Sequence, residues 1–280
     1  MRQTMRPVTI SRVAETTYFA EEMRSFSRHE LTVVLNCSED RGKEIAEEVV
    51  NMGLLKKVED RYTKTSKCSR FLNLVRSNNW TGIHEMMMDY PFYQTFFTSL
   101  QATDPSTPEE ILSLLQSSKI PFNQASRDVL CDWGERLGSI QRNIFTNQYF
   151  TTNPLSTPFV PAFLEVYQSL NIKTGLSLRQ RYVEIPKVRE FVCQKLRISR
   201  DTFDSHFVQL CEKNIGKMEL AGAPVTTHAK RSANKVKNVQ FVELPDKMTM
   251  KLSSNHFLNG LKIGSKSYYY VAYHGGELID

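Results

Sequence analysis

The sequence predicts a mainly α protein with small β-ribbons, an α+β fold, laid out as three tandem units. Three observations carry this. Apolar residues recur at helical spacing, as in Ile45, Val49 and Met52. Helix-capping residues open those segments and glycines close them. The order helix, helix, short ribbon then comes round three times, and repetition of a whole pattern is rarer by accident than one match.

The first unit spans residues 1–77. "ISRVAETTYFAEEMRSFS" reads as a helix, and "RHELTVVLNC" as a short second one, although its Leu31, Val33, Val34 and Leu35 also suit a strand. Ser38 caps a third helix, whose Glu39 and Asp40 complement the positive end of the helix dipole. Gly53 ends it, and "LLKKVEDRYTKT" turns at Glu59-Asp60 as a hairpin.

The second unit, 78–153, repeats this. "WTGIHEMMMDYPFYQTFFTSLQ" supplies its first helix. "TPEEILSLLQSS" has Pro108 in the first turn, where the missing N–H costs nothing. "NQASRDVLCDWGERLG" starts on Asn123 and stops on Gly138, with Ala125, Val129 (or Leu130), Trp133 and Leu137 as its apolar face. "SIQRNIFTNQYFTT" matches the first hairpin in order: glycine, Leu55 or Ile140, Lys57 or Arg142, then an aromatic and threonine.

The third unit, 154–280, holds a helix over 186–196, a polar turn, and a helix over 200–214 capped by Ser199. Phe203, Phe207, Leu210 and Cys211 are its inward face, and "IGKMELAG" starts a ribbon. A basic insert, 227–238, and further C-terminal strands follow. "SNNW" (77–80) and the proline-rich "TTNPLSTPFVP" (151–161) read as linkers.

Three helices followed by a two-stranded ribbon is the order of a winged helix-turn-helix, and "VVNMGLLKKVEDRYTKT" resembles the junction of third helix and wing in that family. The resemblance implies binding of double-stranded DNA with some sequence preference, as in transcription control. The serial layout is also similar to the recognition portions of type IIS restriction enzymes. The other function it allows is a scaffold or adaptor whose winged units contact protein, with a protein partner or a second copy of the chain.

Charge ranks the units. The net charge of +6 is concentrated in 154–280, and 78–153 is net acidic. Carboxylates are repelled by the phosphates that flank a groove, so the third unit is the expected reader. Its helix offers Arg200, Thr202, Ser205, His206 and Gln209, its turn Arg197, and its insert Lys230, Arg231, Lys235 and Lys237. The first unit offers Arg41 and Lys43, opposed by Glu44, Glu47 and Glu48, and the ribbon residues Lys56, Lys57, Arg61 and Lys64. The second exposes Gln124, Ser126 and Arg127 beside Asp128, Asp132 and Glu135, and reads as a spacer.

Other chemistry is weakly represented. "GLKIGSKS" has the wrong spacing for a phosphate-binding loop. "VELPDKMTMK" lacks the strand-borne Glu-x-Lys of a metal-dependent nuclease. The histidines and cysteines show no ligand spacing, so no metal, cofactor or catalytic residue is expected. "SYYYVAYH" could stack on bases but reads first as a terminal strand. No apolar run reaches the roughly 18–20 residues that cross a bilayer, and the N-terminus lacks the apolar core of a secretory signal. The five dispersed cysteines read as reduced thiols of a cytosolic or nuclear protein.

Overall fold

The computed structural model describes residues 4–174, 182–222 and 258–279. It is mainly helical with small antiparallel sheets. No helix among the described residues is long and apolar enough to cross a membrane.

The chain packs as two compact units. Among the described residues, the first comprises 4–141 and 149–151, and the second 142–148, 152–174, 182–222 and 258–279.

The first unit opens with α1 (Ile10–Glu22), β1 (Phe26–Ser27) and α2 (Arg28–Val34). The helix–strand ambiguity at 28–35 is resolved by a capping box: Ser27 Oγ accepts from the Glu30 amide, and the Glu30 carboxylate accepts from the Ser27 amide at 2.6 Å. α3 (Glu39–Asn51) is capped by Ser38 as expected. The hairpin β2 (Leu55–Val58) and β3 (Arg61–Lys64) follows, and β1 pairs with β3 through Phe26 and Tyr62, giving the order β1-β3-β2.

α4 (Ser66–Arg76) and α5 (Trp80–Met87) are joined through the Ser77–Asn79 turn, and Asn79 caps α5. "SNNW" is thus a tight helix–helix turn, and α4 was not foreseen. The long Met-rich segment makes two helices, because α6 (Pro91–Thr103) restarts at a proline in its first turn. α7 (Pro108–Gln116), with a second capping box from Thr107 and Glu110, leads to α8 (Gln124–Leu137) and the hairpin β4 (Ile140–Asn143) and β5 (Gln148–Thr151). Ser106, just before α7, bridges Tyr149 on β5 with two backbone bonds of 2.8 and 2.9 Å.

The second unit contains α9 (Phe159–Thr174), β6 (Tyr182–Glu184), α10 (Ile185–Leu196), α11 (Arg200–Lys213), β7 (Met218–Gly222), β8 (Leu261–Ile263) and β9 (Lys266–Tyr273). Both β6 and β7 pair with β9, and β8 pairs with β9 as well. The tyrosine-rich run is therefore a central strand, with Val271 and Ala272 buried and Tyr268 to Tyr270 half-buried.

One order of elements recurs three times: helix, short strand or bridge, two helices, then a pair of antiparallel strands, with the leading strand against the last of the pair; the pair is a hairpin in the first two copies, whereas in the third β7 and β9 are separated by residues 223–265, which include β8. Each strand pair starts two residues after a glycine in the left-handed region: Gly53 (φ 77°), Gly138 (φ 69°) and Gly216 (φ 87°). A side chain is strained there, which is why glycine marks all three junctions.

The partition differs from the expected three-way one. Residues 1–77 and 78–153 largely share a core, because α8 reaches back to the start of the chain. Trp133 is fully buried, and its indole N–H donates to Val8 O at 3.0 Å. The fully buried Glu48 accepts from the Arg6 amide at 3.0 Å and from the Tyr90 hydroxyl. The α8 face also differs from expectation: Ser126, Leu130, Trp133, Gly134 and Leu137 are buried, and Ala125 is exposed.

α2 and α3 cross closely at Gly42, where an added Cβ would sit 2.1 Å from the Thr32 methyl. Gly42→Ala is expected to destabilise the first unit by about 1–3 kcal/mol from overpacking. The gain of about 1 kcal/mol in helix propensity does not offset it. Urea unfolding of the variant beside the parent checks this.

All five cysteines are free thiols. Burial pushes the Cys68 thiol up to about 11 and the Cys211 thiol up to about 12. The folded chain then holds these protons more tightly than the unfolded chain, whose thiols titrate near ~8.5. The stability they contribute is complete below that pH and is lost as pH rises through the folded values. Unfolding measured from pH 8 to about 11 should show this loss, with a shallower slope in Cys68→Ala.

Candidate nucleic-acid interface

In the second unit, α10 and α11 form the helix pair from which base reading was expected. Ser199 caps α11, and Phe203, Phe207 and Leu210 are buried while Cys211 is half-buried. The polar face is less available than the sequence implies. Arg200 is not an exposed base contact. Its side chain is only 15% exposed and is paired with the fully buried Glu190 at 2.5 and 2.8 Å. Its Nη2 also donates to Arg142 O at 2.7 Å. The pair forms because Glu190, on the inward face of α10, would otherwise be an uncompensated buried charge.

The hairpin tip 142–148 belongs to the same unit and extends this network. The Ile144 amide donates to Glu190 at 3.2 Å, Asn143 Nδ2 donates to Gln194 Oε1 at 2.5 Å, and Gln194 Nε2 donates to Gln148 Oε1 at 2.7 Å. Phe145 stacks on Phe191 with centroids 6.4 Å apart.

The neighbours of Arg200 are also engaged. Arg197 is the left-handed C-cap of α10, and its guanidinium donates to Gln194 O. Thr202 Oγ1 bonds Ser199 Oγ at 2.9 Å, and His206 stacks on Phe159 at 5.6 Å. Ser205 and Gln209 are exposed, between Asp201 and Glu212, which are exposed too. Asp204 is tied to Arg189 at 2.7 Å. The insert residues Lys230, Arg231, Lys235 and Lys237 lie outside the described residues.

In the first unit, Arg41 donates to Glu44 at 2.9 Å and to Pro7 O at 2.7 Å, so it is held against the protein. Lys43 is exposed beside Glu39, Asp40, Glu44 and Glu47. Glu48, expected on the outer face, is buried. Glu39 is held ionised below the usual carboxylate range, chiefly by its hydrogen bond with His29 at 2.8 Å. Arg61 is fixed to Ser25 Oγ and O at 2.9 and 2.8 Å and to Glu30 at 3.4 Å.

Lys56, Lys57 and Lys64 are exposed, and Lys64 lies near Glu21, whose carboxyl is held below its ordinary value first by Arg76 and then by Lys64. Arg70, on α4, is likewise exposed and was not foreseen. The signal was present in "KTSKCSR", where Lys67 and Arg70 stand three apart and so are neighbours on α4, just after Lys64 ends β3.

In α8, Ser126 and Arg127 are buried rather than exposed, and Arg127 donates to Pro108 O at 3.0 Å and to Asp128. Both arginines of this helix, Arg127 and Arg136, are buried.

The β6-β9-β7 sheet carries a polar row in which the Tyr182 hydroxyl donates to Glu219 at 2.5 Å and His274 Nε2 lies 2.8 Å from the same carboxylate. Glu219 is held below its ordinary value, first by Tyr182 and then by His274. Among the described residues no group of three His, Cys, Asp or Glu could hold a metal ion. No protein-family model matches the chain, and no curated protein is significantly similar to it.

Proposed function

We propose that the chain belongs with the winged helix-turn-helix proteins and binds double-stranded DNA through those units. The observation that carries this reading is the threefold recurrence of one connection. In each copy the leading strand or bridge lies against the last of two antiparallel strands, and a glycine separates the third helix from the first of them. The exposed lysines of the first hairpin, Lys56, Lys57 and Lys64, supply charge of the sign a phosphate backbone requires. On α11, Gln209 is exposed, and Ser205 is exposed with its hydroxyl donating to Asp201 O at 2.9 Å, so the groups left to meet base edges favour at most a modest sequence preference. Transcription control and the recognition part of a restriction or defence system are the contexts this reading fits.

One observation favours a protein-binding adaptor instead. Val33 and Val34 at the end of α2 are 66% and 54% exposed, and Ile215 is 86% exposed. Retention of the chain on duplex DNA separates the two readings. A DNA binder loses affinity steeply as salt rises from about 50 to about 200 mM. An adaptor shows no retention at either concentration.

A further inference from the structure

We infer that the segment 277–279 is an exchangeable clasp: the site it fills on its own chain takes the same segment from a second copy, and the protein assembles by trading it. This goes beyond the DNA-binding reading and uses none of its residues.

The site is built at the α11–β7 junction of the second unit. Asn214, the C-cap of α11, is 2% exposed, and both its amide hydrogens and its oxygen are bonded. Nδ2 donates to Leu210 O at 2.9 Å and to Ile279 O at 2.8 Å, while Oδ1 accepts from the Ile279 amide at 2.9 Å. The side chain thus pairs with the backbone of Ile279 through one donor and one acceptor, the same two groups that a neighbouring strand presents. Lys217 Nζ donates to Glu277 O at 2.5 Å. Leu278, between these two anchors, is buried. The grip is on main chain plus one apolar side chain, so the segment of any copy of the chain satisfies it.

Two features point to a second copy as the occupant. The first is the joint. The His274 amide donates to Lys217 O at 2.9 Å, which fixes the end of β9. Gly275 and Gly276 follow, at φ 96° and 92°. Two glycines in succession let the chain leave β9 in another direction without a Cβ clash. Gly276 O accepts from the Tyr273 hydroxyl, a contact that exchange gives up.

The second is the exposed apolar surface around the clamp. Ile215 is 86% exposed and Ile279 is 58% exposed. Ile215 follows Asn214 in the chain and Ile279 is bonded to Asn214, so both flank the clamp. A segment that served only to close the α11–β7 turn would turn its isoleucine inward, whereas Ile279 stands in solvent. Residues 275–279 reach at most about 17 Å when fully extended. Two copies that trade the segment must therefore face each other clamp to clamp, which covers both isoleucines of each copy. Such a contact is isologous and closes at two copies, and exchange restores in trans the contacts it breaks in cis.

The test is size-exclusion chromatography with light scattering on the full chain over a concentration series. The parent should be a dimer. Asn214→Ala breaks the site and Leu278→Asp breaks the segment. Each alone should weaken the dimer by at least about tenfold, the equivalent of losing one hydrogen bond or more. An equimolar mixture of the two variants should recover dimer, because one copy supplies an intact segment and the other an intact site. Without exchange that mixture contains no intact clasp. A thermal melt checks folding; if Asn214→Ala does not fold, Lys217→Gln, which removes the bond to Glu277 O and leaves α11 unchanged, takes its place. A parent that is monomeric at every concentration, variants that dimerise like the parent, or a mixture that stays monomeric overturns the inference. Retention on duplex DNA is measured separately, and its failure overturns the DNA-binding reading while the clasp stands.

Discussion

Replacing Arg200 with alanine is expected to lower the unfolding free energy of the second compact unit by about 3–5 kcal/mol. The cause is Glu190, which is fully buried and takes two of its contacts from the Arg200 guanidinium. Removing the cation leaves a carboxylate in a low-dielectric interior with the Ile144 amide as a remaining partner. Replacing both members of the pair, Arg200→Leu with Glu190→Met, should recover most of the loss, since an apolar pair of similar volume is often as stable as a buried ion pair. Hydrogen exchange of α10 and α11 amides reads the effect directly. A base-reading arginine behaves in the opposite way: its loss leaves protection unchanged and alters only DNA preference.

The second large effect is expected from Trp133→Ala, at about 3–5 kcal/mol for deletion of a large buried ring. The indole lies beside Tyr90 and Tyr93, with centroids 6.2 and 6.4 Å away, and caps Val8 O. The cavity therefore opens in a core shared by the start of the chain and α8. Exchange protection should fall in α1 and α3 as well as in α8, because the first compact unit loses stability as one body. Loss of protection confined to residues 78–141 would mean that the first two sequence repeats are separate folding units.

Much of this fold was legible in the sequence, and for identifiable reasons. Ser38, Asn123 and Ser199 open α3, α8 and α11 because a short polar side chain can satisfy an orphan helix amide. Gly53 and Gly138 mark the ends of helices because the chain turns there through positive φ. The alignment of "RYTKT" with "QYFTT" also holds in space, since Tyr62 and Tyr149 each pair with the residue that leads into the next helix of its copy.

What was illegible is long-range. Nothing near Glu190 in the chain announces that it is buried, and Arg200 ten residues later looks like a free cation until the two helices pack. Glu48 was assigned to an outer charged face by local periodicity, but the Arg6 amide and Tyr90, each 42 residues away, draw it into the core. Ser126 and Arg127 were misplaced for the same reason. Arg200 at the front of α11 is thereby committed to Glu190, whereas Lys56 and Lys57 of the first ribbon stay exposed on the edge strand β2.

The central claim is that exposed cations of the first unit bind duplex DNA. Its most direct measurement is the salt dependence of binding of the intact chain to a labelled duplex. Each first-unit cation that meets a phosphate should steepen the log–log slope by about 0.9. A flat profile, or no binding at the lowest salt, would contradict it.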